Sequence, residues 1–361
     1  MDEVFMKRAL ELALEGAGRA NPNPLVGAVI VKDGEIVGEG YHKIYGDAHA
    51  EVNAIKAAGR RAEGATLYVN LEPCCHYGKT PPCTEVLIDA SIKRVVVAMR
   101  DPNPLVDGEG IARLKEAGIE VSCGVLEGEA KALNEIYIKF ITTHLPFVIL
   151  KAAMSLDGKI CTSEGDSKWI SSETSRAYVH SIRNRVSAVM VGLNTVIADN
   201  PHLTTRIKNG RDARPVIVDS LASIPISANV LSGNRPIVVV TERAPIERVS
   251  TLKDKGAEVI YTGEDENGMV DLNELMYKLG DMGIDSILLE GGGSLNWSAV
   301  KKGIVDKFLF FVAPVIIGGA SALTPVEGEG FKTVSGALRL KRLSLKSLSD
   351  DILIEGYPER R

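Results

Sequence analysis

His49-Ala50-Glu51, followed by Leu71-Glu72-Pro73-Cys74-Cys75-His76-Tyr77-Gly78-Lys79-Thr80-Pro81-Pro82-Cys83, is the stretch that decides how the first half of the chain folds. Zinc takes deprotonated sulfur and neutral imidazole, with four ligands in a structural site and three plus water in a catalytic one. His49, Cys74 and Cys83 supply three. Glu51 stands two residues after His49, in reach of water in a fourth position and poorly placed to be a ligand itself. A structural site would need a fourth side chain, for which Cys75 and His76 are the candidates. Cys75 would strain a tight Cys-Cys chelate, and His76 is better read as lining a pocket.

The elements around this stretch place each ligand at a strand or helix end. Residues 66–71 (TLYVNL) read as a strand ending just before Cys74. Residues 49–58 read as a helix with His49 near its N-terminus, and 84–90 as a helix with Cys83 at its start. The positive end of the helix dipole there favours thiolate at Cys83. Upstream, 2–16 carry a helical apolar face, Asn21-Pro22-Asn23-Pro24 is a rigid loop, and 25–31 and 36–41 are strands around the Asp33-Gly34 turn. Downstream, 94–99 is a strand, Asp101-Pro102-Asn103-Pro104 a second rigid loop, 111–117 a helix, 119–123 a short strand and 127–143 a connecting helix. This alternation predicts a three-layer α/β/α sandwich. After Leu145-Pro146, strand-like runs at 147–154, 188–191, 215–218, 237–240, 258–261, 286–289 and 307–313 alternate with helices, notably 173–185 and 271–281. They predict a second, largely parallel α/β sheet, finished by antiparallel strands within 338–354.

Composition sets the class. Hydrophobic residues at 45% and charged residues at 25% are those of an ordinary globular protein. A net charge of −5 argues against binding nucleic acid by phosphate neutralisation. No basic, aromatic-rich segment offers a single-strand platform either. The longest apolar run, 308–317, contains Pro314 and is too short to span a bilayer, and the acidic start is not read as a secretory signal. Five cysteines, three of them clustered at 74, 75 and 83, point to a reducing cytoplasm rather than a disulfide framework.

His-x-Glu followed by Pro-Cys-x-x-Cys is the signature of zinc nucleobase deaminases. Here the position three after Cys74 is Tyr77, so the second cysteine is Cys83, after an inserted loop. That loop, with NPNPLVGAV at 21–29, HAEVNA at 49–54 and AMRDPNPLV at 98–106, resembles the bacterial bifunctional riboflavin-biosynthesis deaminase/reductase family. LKAAMSLDGKI at 150–160, DSKWISS at 166–172, VGLNTVIADNPHLTTR at 191–206 and LLEGGGSLN at 288–296 extend the resemblance over nearly the whole chain. Cys75 departs from it, since the family often has serine there.

The resemblance implies a cytidine-deaminase-like domain over 1–144 and a dihydrofolate-reductase-like domain over 145–361. It implies zinc-dependent hydrolytic deamination of 2,5-diamino-6-(5-phosphoribosylamino)pyrimidin-4(3H)-one, then NADPH-dependent reduction of the ribosyl group to ribityl. Glu51 would move protons, and Asn23, His76 and Lys79 would contact the pyrimidine substrate, with His42, Asp101 and Asn103 on converging loops. In the second half Gly292, Gly293, Ser294, Leu295, Asn296, Trp297 and Ser298 would cradle NADPH, joined by Ala153, Trp169, Thr195, Asp199 and Ser220. Ser167, Arg183, Leu203, Arg206 and Glu290 would hold the phosphorylated substrate, and Lys151 with Asp199 would form a proton relay. The glycine run alone also fits a flexible turn, and Trp169 a core or interface aromatic. Alternative readings are a monofunctional deaminase, a nucleic-acid deaminase and a zinc scaffold without activity. A small-molecule enzyme of the cytoplasm, assembled as a homo-oligomer and binding neither nucleic acid nor membrane, is the expectation.

Overall fold

Every residue but the last of β1 (Gly27–Lys32) is buried, as a run of Ala, Val and Ile without polar alternation requires of a strand covered on both faces. Its covers are α1 (Asp2–Leu14) and α2 (Ala50–Ala58). Glycines let both helices come close. A Cβ at Gly27 would stand 2.0 Å from the Ala9 carbonyl oxygen of α1, and one at Gly40 of β2 (Glu35–Tyr41) 2.4 Å from the Ala54 amide nitrogen of α2. Gly40 is the cross-strand partner of Ala28, the residue after Gly27. Successive strand residues point to opposite faces, so the two helices lie on opposite sides of the sheet and the expected three layers are present.

The computed structural model describes residues 1–78 and 81–359, so Lys79 lies outside the described residues. The chain divides into two compact units, Met1–His144 and Leu145–Arg361. In the first, the sheet order is β2-β1-β3-β4-β5, with β3 (Thr66–Leu71), β4 (Arg94–Met99) and β5 (Glu120–Cys123). β1 is antiparallel to both neighbours, and β3, β4 and β5 run parallel through the crossover helices α3 (Cys83–Asp89) and α4 (Glu109–Glu116).

The single connecting helix expected over 127–143 is two helices, α5 (Glu127–Leu133) and α6 (Glu135–Thr143). Asn134 between them leaves helical geometry (φ −105°, ψ 20°). Its amide is bound elsewhere: Oδ1 accepts the Leu25 N–H at 2.8 Å and Nδ2 donates to the Leu25 carbonyl at 3.0 Å. Buried Asn70 grips the next residues, accepting the Gly27 N–H at 2.8 Å and donating to Leu25 at 2.9 Å. Two buried amides thus satisfy the backbone where the Asn21–Pro24 loop enters β1, and fix that loop in place.

The sheet of the second unit runs, among the described residues, β10-β9-β8-β7-β11-β6-β12-β14-β13. β6 (Phe147–Ser155), β7 (Ala188–Gly192), β8 (Arg214–Val218), β9 (Ile237–Val240), β10 (Glu258–Tyr261), β11 (Ser286–Leu289) and β12 (Lys307–Ala313) are parallel. β13 (Leu340–Leu348) and β14 (Asp351–Pro358) close it antiparallel, the second ending later than the sequence indicated. Ser172 caps α7 (Glu173–Arg185) by accepting the Ser175 N–H at 3.2 Å, and Asp271 caps α10 (Leu272–Asp281) through the amides of Asn273 and Glu274. α8 (Leu193–Asp199) and α9 (Ile246–Asp254) were not singled out from sequence, and α11 (Gly293–Lys301) follows the glycine run after β11. No helix among the described residues is long and apolar enough to cross a membrane.

Candidate active sites

His49 is the N-cap of α2, in extended backbone (φ −70°, ψ 167°). The first turn carries Glu51 inward, where it is 3% exposed. Cys74 lies on the loop leaving β3 and Cys83 opens α3, drawn together by the Thr84 N–H donating to the Cys74 carbonyl at 3.2 Å. His49 Nδ1 stands 3.2 Å from Cys83 Sγ and 3.6 Å from Cys74 Sγ, and the three donor atoms lie within 4.8 Å of one another. A tetrahedron with zinc–sulfur near 2.3 Å and zinc–nitrogen near 2.0 Å has a sulfur–nitrogen edge of about 3.5 Å. The residues present therefore fit the metal. Beside them Glu51 Oε2 is buried without a hydrogen-bond partner, the mark of a carboxylate that awaits one. Cys75 turns away, its Sγ 3.8 Å from the Leu105 carbonyl.

Hydrogen bonds from Cys83 and His49 pull the Cys74 thiol down, and the same bond to Cys74, with burial, pushes Cys83 up; on zinc both sulfurs would be thiolates. Cys74 Sγ also accepts the Cys83 backbone N–H at 3.3 Å, so the helix N-terminus serves the neighbouring sulfur. Burial pushes the Glu51 carboxyl up against the opposing pull of His49.

A cavity of about 330 Å³ opens onto these groups. Asn23, His42, His76, Asp101 and Asn103 line it from loops, and Phe140 and Ile141 of α6 form an apolar wall. Asn23 Nδ2 lies 3.1 Å from His42 Nε2, and His42 Nδ1 3.3 Å from the Ala48 carbonyl, a pattern that suits a neutral imidazole; burial draws His42 down in the same sense. His76 Nδ1 is buried without a partner.

Two residues here carried no sequence signal. Buried Glu72 accepts the N–H groups of Asp101, Gly108 and Ile111 at 3.1, 3.0 and 3.0 Å, and so shapes the loop that presents Asp101 and Asn103. Tyr137 of α6 donates its hydroxyl to Asp101 Oδ1 at 2.9 Å. Burial pushes Asp101 up to about 6 against the hydrogen bonds from the Asn103 N–H and the Tyr137 hydroxyl.

In the second unit Glu290 follows β11 and is gripped by Arg183 of α7, Nε and Nη2 donating to its two oxygens at 2.6 and 3.0 Å. Lys151 Nζ of β6 stands 3.8 Å from the same carboxylate. Burial would raise Glu290, but the charges of Arg183 and Lys151 hold it down at about 2. Burial draws Lys151 below the ordinary lysine value. Of the two candidate proton carriers, Asp199 is an exposed residue ending α8, and the carboxylate beside Lys151 is Glu290.

Gly292 is the N-cap of α11, and the nearest atom to a Cβ there would be Thr195 Oγ1 at 3.5 Å, so its backbone is open. Gly293 is closed off, since a Cβ would meet Glu327 Cγ at 2.2 Å. Asn296 points inward, donating to the Gly291 and Pro325 carbonyls at 3.2 and 2.8 Å, and Trp297 packs on Phe331 with ring centroids 5.1 Å apart. Ser298 bonds the Ser294 carbonyl at 3.1 Å, Leu295 packs on the core, and Ala153 lies within β6. An anion at the open N-terminus of α11 on the Gly292 side meets unpaired amides, which fits a dinucleotide phosphate. Ser220 Oγ accepts the Val270 N–H at 3.2 Å. Trp169 is 66% exposed, under the Arg176 guanidinium at 4.6 Å from its centroid. Leu203 is buried, whereas Ser167 is only partly covered and Arg206 exposed.

Comparison with known proteins covers the whole chain. The cytidine and deoxycytidylate deaminase zinc-binding region matches residues 1–99, and the RibD C-terminal domain residues 146–354. The riboflavin biosynthesis protein RibD of Actinobacillus pleuropneumoniae is 45% identical over 98% of this chain and 94% of its own. That of Escherichia coli K12 is 38% identical over 98% of each. Among solved structures, RibD of Acinetobacter baumannii superposes with a TM-score of 0.88 at 38% identity, covering 99% of both chains. A diaminohydroxyphosphoribosylaminopyrimidine deaminase/5-amino-6-(5-phosphoribosylamino)uracil reductase from Thermotoga maritima gives 0.85 at 39% identity, again over 99% of each.

Proposed function

We propose, since this chain belongs to the RibD family of bifunctional riboflavin-biosynthesis deaminase/reductases, that its activities divide between its two units, deamination over 1–144 and reduction over 145–361. The substrate we infer is 2,5-diamino-6-(5-phosphoribosylamino)pyrimidin-4(3H)-one, which loses its C2 amine as ammonia. The ribosyl group of the resulting 5-amino-6-(5-phosphoribosylamino)uracil is then reduced to ribityl. The observation that carries this reading is Glu51, with its unpartnered oxygen, set beside the His49–Cys74–Cys83 cluster at a cavity the size of a ring and its substituents.

His49, Cys74 and Cys83 would hold zinc, which would supply the Lewis acid that makes water nucleophilic at neutral pH. Glu51 carries one proton of the water to the ring nitrogen and then the second to the amine, which leaves as ammonia. Asn23, His76 and Lys79 hold the pyrimidine edge and the phosphoribosyl group, and the wall of Phe140 and Ile141 keeps bulk water from the ring. In the second unit the 292–298 segment, with Ala153, Trp169, Thr195, Asp199 and Ser220, would hold NADPH, which would supply hydride. Ser167, Leu203 and Arg206 seat the phosphorylated ribosyl chain. Lys151, poised by Glu290 and Arg183, holds the proton that the opening sugar ring requires at its oxygen. A homo-oligomer in the cytoplasm completes the reading.

The test follows two products together. Purified protein given the diaminopyrimidine releases ammonia with or without NADPH, and oxidises NADPH only after deamination. Ammonia that never appears, or NADPH oxidation that never follows it, would overturn the corresponding half.

A further inference from the structure

Asp101 is held from three elements. Its N–H donates to buried Glu72 Oε2 at 3.1 Å, and its Oδ1 accepts the Asn103 N–H and the Tyr137 hydroxyl, each at 2.9 Å. Oδ2 has no hydrogen bond among the described residues, although the residue is only 5% exposed. The side chain lines the cavity onto which His49 and Glu51 open. Buried polar atoms are as a rule paired. The protein supplies no donor for Oδ2, so its donor comes from what fills the cavity.

Tyr137 is the part of this arrangement that the zinc motif does not announce. It lies on α6, beyond the residues 1–99 that match the deaminase zinc-binding region. Asn134 fixes where α6 begins through its two bonds to Leu25, and Tyr137 follows within one turn. Its ring is buried and lines the cavity beside Phe140 and Ile141. The plane of an aspartate carboxylate is only loosely set by its own torsion. A single donor on Oδ1 would leave it free to swing about that bond. Two donors from different elements, the Asn103 loop and α6, fix the direction in which Oδ2 points.

We propose that Tyr137 is a positioning residue of the first site, which turns the free oxygen of Asp101 to accept an N–H of the pyrimidine. The inference rests on the reading that this unit deaminates the diaminopyrimidine. Besides the amine it loses, that ring carries amino groups at C5 and C6, where cytosine has only C–H. An acceptor that finds a donor on the first ring and none on the second selects between them. The ring that leaves a buried carboxylate oxygen unpaired binds more weakly. Tyr137 acts through Asp101, to which its hydroxyl is committed.

The test is a double-mutant cycle on the full-length protein, read by ammonia release from the diaminopyrimidine. Tyr137→Phe keeps the ring and removes only the hydroxyl. It is expected to lower kcat/KM about tenfold, the scale of one hydrogen bond to a charged group, and to do so through KM. Asp101→Ala costs at least as much. Adding Tyr137→Phe to it costs less than about twofold more, because the hydroxyl then has no carboxylate to orient. Zinc content by mass spectrometry and the melting temperature establish that each variant is folded. Should Asp101→Ala fail there, Asp101→Asn replaces it in the cycle, since its amide presents an N–H where an acceptor is needed. A Tyr137→Phe enzyme with the wild-type KM, or the same tenfold loss in both backgrounds, would overturn the inference and leave the hydroxyl a structural role alone. If the wild type releases no ammonia from the diaminopyrimidine, the substrate reading of the first unit fails, and the inference with it. If the wild type is active and the cycle is additive, that reading stands and only the inference is lost.

Discussion

Replacing Glu51 with glutamine separates chemistry from scaffold. The side chain is 3% exposed, with one oxygen buried and unpartnered. Glutamine keeps its shape, so His49, Cys74 and Cys83 stay where they are and the zinc content by mass spectrometry is unchanged. What is lost is a group that can accept and return a proton, which contributes about 10²–10⁴-fold to rate. That corresponds to about 3–5 kcal/mol of activation free energy. The amide leaves a polar atom in the same buried position, so no packing is gained or lost. Glu51→Gln is therefore expected to melt close to the wild-type temperature while ammonia release falls to about 1% or less. NADPH oxidation with the deaminated uracil compound stays at the wild-type rate. Ammonia release within threefold of wild type, with zinc bound, would refute the proton-carrying role. Loss of ammonia release, NADPH oxidation and zinc together would instead mean that the carboxylate holds up the fold.

Stripping zinc with a chelator should abolish ammonia release, leave NADPH oxidation intact and make Cys74 and Cys83 reactive to a thiol reagent, with zinc restoring the starting state. Glu290→Gln leaves the Arg183 guanidinium, only 13% exposed, without its carboxylate, a loss of about 3–5 kcal/mol that a lower urea midpoint for the second unit would register. Because the folded Glu290 carboxyl sits at about 2, below the ordinary value near 4.3, its stabilisation is full above that value and lost as pH falls from there towards 2. The wild-type advantage over Glu290→Gln should shrink across the same window. Gly293→Ala improves helix propensity yet sets a Cβ 2.2 Å from Glu327 Cγ, so the Glu327 side chain must give way beside the N-terminus of α11. NADPH affinity by fluorescence titration should drop more than about tenfold, or 1.4 kcal/mol, with ammonia release untouched.

The metal cluster was legible because its information is local: ligand types at element ends, each preceded by a strand or proline. The sheets were legible for the same reason, as apolar runs punctuated by turn residues. What escaped is long-range or ambiguous in kind. Asn134 sits in a helix-compatible run, and only its bonds to Leu25 show why the helix breaks there. Tyr137 reads as one more amphipathic position until its hydroxyl is found on Asp101. The Cys83 N–H on Cys74 Sγ escaped as well, because a helix dipole can be read from sequence, whereas which sulfur its first amide meets cannot. Arg183, 107 residues from Glu290, takes that carboxylate into an internal pair that no spacing rule announces.

The two units treat a buried carboxylate in opposite ways, and the contrast says what each is for. Glu51 has an orphan oxygen and is pushed up by burial; Glu290 is gripped by one arginine and one lysine and held down. A carboxylate that must take a proton and surrender it within one turnover needs the first setting, where neither state is strongly preferred. A carboxylate that must stay charged while a neighbouring lysine does the exchanging needs the second. Burial draws Lys151 down while the charge of Glu290, fixed in place by Arg183, opposes that shift, which suits the proton-donating role proposed for Lys151. Removing Arg183 would therefore alter the protonation of Lys151 before it altered any contact with substrate, and the reductase pH profile, not its KM alone, is where that change would be read.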